Sequence, residues 1–361
     1  MGDRRLPPIF KKHMKTVYVL HAYGANSHYN GLLALCQQEG IKLVFREFRV
    51  YYLTKQALKN KNYTQFFRQF TNLLFLLNLL LTKGKTIVVG IHPYDNRLPI
   101  ISFILKKHKV YHHTSCTMWN PQDPVYETIS EKKFERLKRF MHHQVKHVFA
   151  VTEKTKQGIL DYIGLEESKI NVVYHSYFAR LTKSSTADPY TYIYVGRLEH
   201  CKGIHEICEY FIAHSELTLI LIGDGECRDY VETCVSRNSN ILYYGYINGI
   251  LNLMPYYNRA TFFVLNSKRT AEWEELFGQV LIESMSCGCI PVSVNHSGPK
   301  EVISDGQEGI LFCEGDLHKA LDKTLELDET SIAKMSSAAY DKGHNFESNI
   351  IATKWRNILI L

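Results

Sequence analysis

The chain has 361 residues, 45% hydrophobic and 22% charged, an ordinary balance for a globular protein and enough length for two separately packed cores. Its formal charge of +7 divides unevenly: residues 1–180 carry 28 Lys/Arg against 12 Asp/Glu, net +16, and the remainder 15 against 24, net −9. A basic half reads as contact with something anionic: phospholipid, a lipid pyrophosphate or nucleic acid. No RNP, zinc-finger or helix-turn-helix pattern accompanies it, so nucleic acid is not expected as a partner. Nine Cys occur without paired C-x-x-C spacing, which favours buried thiols in a reducing cytosol over a disulfide frame or a zinc site. Residues 1–15 are basic, but the apolar stretch 17–20 is too short for a signal peptide and no run approaches a transmembrane span. The expected location is cytoplasmic, with peripheral contact on the cytoplasmic face of an anionic membrane.

In chain order, residues 16–20 read as a buried strand, followed by a loop from His21 to Gly31 that contains Gly24, a helix over 32–38 and a strand over 41–46. This is how a Rossmann-like half begins, although the loop falls short of G-x-G-x-x-G. Residues 54–81 read as one long helix with a basic start, Lys55, Lys59, Lys61 and Arg68. In it Phe66, Phe70, Leu73, Leu74, Leu77 and Leu81 fall at helical spacing. That pattern fits either a core helix or a face dipping into a bilayer interface beside basic side chains. Strands over 86–90 and 109–114 bracket a helix over 98–107, and the second strand ends on the doublet His112-His113. A basic helix is expected over 131–147, then a strand (148–151), a helix (153–163) and a strand (170–174). His143 and His147 have the i,i+4 spacing of a metal pair, but no third ligand is evident, so no metal is expected. Residues 182–189, polar and closing on Pro189, make the expected linker. It would divide an acceptor domain (1–181) from a nucleotide-sugar domain (190–344).

The second half opens with a strand over 192–195 and then Gly196-Arg197-Leu198-x3-Lys202-Gly203. A glycine turn with two cations five residues apart makes a diphosphate clamp: the Arg197 fork can bind two oxygens, and Lys202 supplies a point charge. Strands are expected over 217–222, 240–244, 260–265 and 290–294, with helices over 227–236 and beyond residue 316. Between the last two strands lies Glu275-Leu-Phe-Gly-Gln-Val-Leu-Ile-Glu283. Gly278 would open a helix whose first N–H groups, on Gly278, Gln279 and Val280, suit an anion. Two carboxylates flanking that mouth suit hydroxyl-rich groups joined to a phosphate, as in a sugar nucleotide. Glu272 and Glu274 compete for the first carboxylate; the register of Phe277-Gly278 favours Glu275.

Glu275-x7-Glu283 with Phe277-Gly278 resembles the signature of retaining GT-B glycosyltransferases of group 1. So do Cys287-Gly288-Cys289-Ile290-Pro291-Val292 and Gly298-Pro299-Lys300-Glu301-Val302-Ile303-x-Asp305-Gly306-x-x-Gly309. The resemblance runs from about residue 192 to 312. It implies an α/β GT-B fold: two Rossmann-like domains facing a central cleft, with a final helix over 347–359, containing Trp355, crossing back to the first domain. It implies that Arg197, Lys202 and Gly196 hold the donor diphosphate, that Glu275 holds donor-sugar hydroxyls with Phe277 beside it, and that Glu283 binds the ribose. It further implies that His113, or its neighbour His112, lies near the anomeric carbon, that Tyr246 lies near the base, and that the Gly24 loop approaches the phosphates. The chain departs from the family in having Gly24-Ala25 where two adjacent glycines are frequent, and Tyr174-His175-Ser176-Tyr177 where Pro-Asn-Gly is usual.

The expected activity is transfer of a sugar from a UDP- or GDP-sugar to a glycan or lipid-linked acceptor, without prosthetic group or metal. Two other readings compete. A glycoside hydrolase also uses two carboxylates, but has no diphosphate for Arg197 and Lys202 to hold. A non-catalytic scaffold of the same fold would bind nucleotide without turnover.

Overall fold

The computed structural model describes residues 15–122, 129–178, 181–182, 188–270 and 274–360. The described residues form two six-stranded sheets in which every strand pair is parallel. The first contains β1 (Thr16–His21), β2 (Lys42–Glu47), β3 (Thr86–Gly90), β4 (Lys109–Thr114), β5 (Val145–Ala150) and β6 (Ile170–Val172), in the order β2-β1-β3-β4-β5-β6. The second contains β7 (Asp188–Val195), β8 (Thr218–Ile222), β9 (Ile241–Tyr243), β10 (Ala260–Leu265), β11 (Ile290–Val294) and β12 (Ile310–Phe312), in the order β12-β11-β10-β7-β8-β9. Residues 183–187, the middle of the expected linker, and Glu272 lie outside the described residues.

Parallel strands need crossover helices, and helices on both faces bury the strands on both sides. Hence β3 and β10 are buried at every position. Each sheet reverses its winding once, between β1 and β3 and between β7 and β10. In such sheets ligands bind beyond the carboxyl ends of the strands at the reversal. His21 and Gly90 end the first pair; Val195 and Leu265 end the second. This is the GT-B architecture.

Three expectations are corrected. Residues 54–81 are two helices, Val50–Lys59 and Tyr63–Leu81. They part at Lys61, whose φ of 51° is left-handed, and the Asn62 side chain caps the second helix by accepting from the Gln65 N–H at 3.0 Å. The basic helix ends at His143. His147 lies on β5, buried, with Nε2 3.2 Å from Asn357, so the two histidines share no helical face. The C-terminal segment is not one helix but Ser348–Ala352, a tight turn Thr353–Trp355 and Asn357–Ile360. It does cross back: Ile351, Ala352, Trp355 and Ile358 pack into one core with Val17, Leu32, Tyr111 and Phe149. Gly31 permits this contact, because a Cβ there would stand 2.8 Å from Ile351 and 3.0 Å from Trp355.

Candidate functional site

The site in the second sheet is built from backbone that tolerates no side chains. A Cβ on Gly223, after β8, would stand 1.8 Å from the Gly196 carbonyl oxygen after β7. A Cβ on Gly203, at φ 65°, would stand 2.3 Å from Asn266 Nδ2. On Gly298 it would meet the Leu276 and Phe277 backbone at 2.4 Å. The turns after β7, β8, β10 and β11 therefore stack directly on one another, which only glycine allows at these points.

On this platform the Lys202 Nζ donates to Glu275 Oε2 at 2.6 Å, both side chains nearly enclosed at 12% and 11% exposure. Ser267 Oγ donates to the same oxygen at 2.8 Å. The Glu275 N–H donates to His296 Nδ1 at 3.2 Å, and His296 Nε2 lies 2.7 Å from Glu314 Oε1. Glu275 is thus fixed from both its side chain and its backbone. Neighbouring Glu274 is buried too, paired with Lys154 at 2.9 Å and Arg269 at 3.1 Å and accepting from Thr117 Oγ1 at 3.2 Å. Burial works to raise its carboxyl, but Lys154, then Ser297 and Arg269, hold it below the ordinary range. Because Lys154 and Thr117 belong to the first half, Glu274 also ties the halves together. Glu301 does the same, accepting from the N–H groups of Glu153 at 2.8 Å and Lys154 at 3.0 Å.

Gly278, at φ 78°, opens the helix Gln279–Met285, which is short at 7 residues. Glu283 sits on its second turn, buried, taking a 3.3 Å bond from Gln279 Nε2. Burial pushes its carboxyl up to about 7, against the opposing pull of Gln279.

The first sheet contributes a cavity of about 430 Å³ beyond β1, β3 and β4. Its wall includes His21, His28, Arg49, His92, His113 and Thr114, and the second half closes it with Glu274 and Leu276. Alternation along β4 decides between the doublet: His113 lines the cavity, while His112 turns to the other face, its Nε2 3.1 Å from the Ile91 carbonyl. Burial, then the neighbouring His175, His28, His21 and His112, drive His113 far below the usual imidazole range. Burial and then His28 hold His21 down at about 4. These imidazoles are neutral near pH 7, and the enclosed His113 Nε2 has no partner among the described residues.

Residues 180–342 match the family model Glycosyl transferases group 1. The curated relatives include an N-acetylgalactosamine-N,N'-diacetylbacillosaminyl-diphospho-undecaprenol 4-alpha-N-acetylgalactosaminyltransferase of Campylobacter jejuni. It is 29% identical over 41% of this chain and 42% of that protein. They also include the capsular polysaccharide biosynthesis glycosyltransferase CapM of Staphylococcus aureus, 26% identical over 45% of this chain and 40% of that one. The chain thus spans about two fifths of the length of these relatives. Among solved structures, Anabaena HepE in complex with UDP superposes with a TM-score of 0.67 at 15% identity, covering 96% of this chain and all of that one. The lipopolysaccharide outer core galactosyltransferase WaaB, apo form, gives 0.60 at 16% identity, covering 96% and 99%. These likenesses establish the GT-B fold.

Of the residues named from the group 1 pattern, Lys202, Glu275 and the Gly196 and Gly278 backbones come together, with Glu283 on the same short helix. Arg197 lies apart: its guanidinium is exposed and bonded to Glu199 at 2.5 Å. Phe277 is enclosed by Tyr174, His175 and Phe346 at ring distances of 5.3–5.8 Å, so its ring braces the turn rather than facing a ligand. Tyr246 is 71% exposed, and its hydroxyl meets Asn248 at 3.5 Å. Gly24 has φ 90°, and Ala25 follows at 43°, so both residues are left-handed; a Cβ on Gly24 would stand 3.2 Å from the buried Glu47. Sequence reasoning missed Ser267, His296, Lys154 and Arg49. Their partners are 8 to 120 positions away, a separation that no local pattern encodes.

Proposed function

We propose that this protein is a glycosyltransferase of the hexosyl type. It would move a sugar from a UDP- or GDP-sugar to a glycan or lipid-linked acceptor in polysaccharide or glycolipid biosynthesis. The observation that carries the reading is the enclosed Lys202–Glu275 pair, held at the winding reversal of the second sheet beside the cavity of the first. Transfer breaks the bond from the anomeric carbon to the donor phosphate and makes one to an acceptor hydroxyl. Negative charge grows on the leaving diphosphate. Lys202, the N–H groups around Gly278–Val280 and Arg197, once it releases Glu199, would receive that charge without a metal ion. Glu275 would accept from donor-sugar hydroxyls and Glu283 from the ribose. The bare His113 nitrogen would meet the donor sugar, and the Gly24 turn would approach the phosphates. Tyr246 would swing onto the base. Front-face attack, with the leaving phosphate taking the acceptor proton, would retain configuration. The domains would divide at 182–189, with residues 345–361 returning to the first.

The test is nucleotide diphosphate release. UDP-glucose, UDP-galactose, UDP-N-acetylglucosamine and GDP-mannose are first screened by thermal shift; the stabilising donor is then incubated with glycan and polyprenyl-diphosphate acceptors, with and without EDTA. Release of UDP or GDP insensitive to EDTA is expected. Glycan cleavage without nucleotide would favour the hydrolase, and tight nucleotide binding with no turnover the scaffold.

Glu283 adds a pH prediction. Its folded carboxyl titrates at about 7 rather than 4.5, so its contribution to stability is full below about 4.5 and is lost as pH rises through 7. Ionising it in place costs about 3 kcal/mol. Ribose hydroxyls donate to the ionised form, so the KM for donor should fall as pH rises through about 7. Glu283→Gln should abolish that inflection and gain stability at pH 8, read by kinetics and by thermal melts.

The acceptor side carries a membrane reading. Tyr63–Leu81 buries Gln69 and Asn72, which donate to Glu47 at 2.6 and 3.1 Å, together with Phe75 and Leu79, and turns its remaining apolar side chains outward. Phe67 is 66% exposed, Leu74 50% and Leu81 86%, and Phe103 on the adjoining helix Leu98–Leu105 70%. From residue 48 to 94 there are seven Lys/Arg and no Asp or Glu. An outward apolar face set in an unbroken basic stretch fits an anionic bilayer surface. Among the described residues no helix is long and apolar enough to cross a membrane. Arg49, stacked 4.5 Å over Tyr23, lines the cavity just ahead of this helical pair, so a lipid-linked acceptor would enter from the docked face. Sedimentation with phosphatidylglycerol vesicles should show binding that weakens with salt. Phe67→Ser with Leu74→Ser, both at exposed positions, should lower it at least about tenfold; absence of binding at every salt concentration retires the idea.

A further inference from the structure

A second constellation lies beside the turn that carries Arg197 and Lys202, and none of its members lines the cavity described above. His200 ends its side chain at the surface, His205 stands on the first turn of the helix Ile204–Ala213, and Cys227 is buried after β8. One ligand atom from each lies within 4.8 Å of the others. A tetrahedral zinc ion with one thiolate and two imidazoles needs separations of about 3.5 Å; the exposed His200, now stacked on His205 with ring centroids 5.1 Å apart, would turn to close its share of the gap.

The backbone beneath these side chains is already fixed. The Leu198 N–H donates to the Asp224 carbonyl at 2.9 Å, and the Cys227 N–H returns to the Leu198 carbonyl at 2.8 Å. The His200 N–H donates to Glu226 Oε1 at 3.0 Å. The His205 ring is clamped against Tyr230, 3.9 Å away and 13° from parallel. Yet His205 Nε2, shut away from water, has no partner among the described residues. A buried imidazole nitrogen left bare costs free energy unless something meets it. Here a second imidazole and a thiol lie beside the same ring.

We infer that His200, His205 and Cys227 bind one borderline-soft divalent cation, zinc by ligand type, which staples the turn after β7 to the turn after β8. One thiolate and two neutral imidazoles match zinc better than calcium or magnesium, which take oxygen ligands. Binding takes the Cys227 thiol to its thiolate and releases one proton. The fourth position faces solvent beside His200. The cation stands outside the donor pocket and takes no part in the proposed transfer; it would stiffen the loop from which Lys202 projects.

Protein stripped with EDTA and desalted is titrated with ZnCl2 and, separately, CoCl2. The expected result is one cation per chain by elemental analysis, a thiolate-to-cobalt absorption band, and a higher Tm with zinc. Cys227→Ser should lose the thiolate band. His200→Ala, at an exposed position that leaves the fold intact, should weaken zinc at least about tenfold and cancel the Tm gain. Failure of the stripped protein to take up either cation overturns the inference. So does uptake that His200→Ala leaves unchanged, since the ion would then sit elsewhere among the chain's histidines. Neither outcome touches the donor reading, which is judged by nucleotide release.

Discussion

Lys202→Ala is expected to lower kcat by about 100- to 1,000-fold, the usual cost of removing one prearranged group that meets developing charge. The substitution also strands Glu275. Its carboxylate would keep Ser267 but lose the ammonium at 2.6 Å in a place only about a tenth exposed, which costs about 3 kcal/mol for a buried pair broken on one side. Stability and turnover should therefore fall together. The double variant Lys202→Met with Glu275→Gln separates them: with no charge left uncompensated, the fold should recover most of the loss while turnover stays low. A double variant that regained activity, or a single variant with unchanged nucleotide release, would remove the clamp from the proposal.

The second large effect is structural. Gly223→Ala places a methyl 1.8 Å from the Gly196 carbonyl oxygen at a φ of 149°. The obstacle is backbone on both sides: the Gly196 N–H is bonded to the Ile222 carbonyl at 3.0 Å and the Gly223 N–H to that of Gly245 at 2.8 Å. Neither strand end can give way without breaking the sheet at its reversal. The expected loss is about 4 kcal/mol, seen as a fall in Tm on the order of 10 °C, with donor binding lost as the clamp turn moves. Gly306→Ala is the control: its φ of 75° carries the left-handed cost, but nothing lies within 4 Å of the added methyl, so it should cost about 1 kcal/mol.

Much of the architecture was legible before any coordinates. Strands over 86–90, 260–265 and 290–294 are read from largely apolar runs, because a parallel strand covered on both faces must be apolar at nearly every position. The register of Phe277-Gly278 likewise favoured Glu275 over its neighbours as the first carboxylate, and the structure sets Glu275 against Lys202. Errors and open choices fell where a local pattern has two physical solutions. Periodicity left the apolar residues of 63–81 open between core and bilayer; the structure divides them, sending Phe75 and Leu79 into the core beside Gln69 and Asn72, which donate to Glu47, and leaving Phe67, Leu74 and Leu81 outside. The His143–His147 spacing assumed an unbroken helix; the chain left it to start β5.

By itself the sequence determined the two-domain α/β plan, the sign of charge on each half, and the cation and carboxylate pairs that suit a nucleotide sugar, since all of these depend on residue type and short spacing. Only the tertiary structure decided which His of the doublet faces the cavity, that Lys202 grips Glu275 while Arg197 turns away to Glu199, and that His200, His205 and Cys227 meet. Those outcomes depend on how separate crossovers stack at the strand ends, and backbone contacts between turns tens of residues apart leave no trace in local spacing.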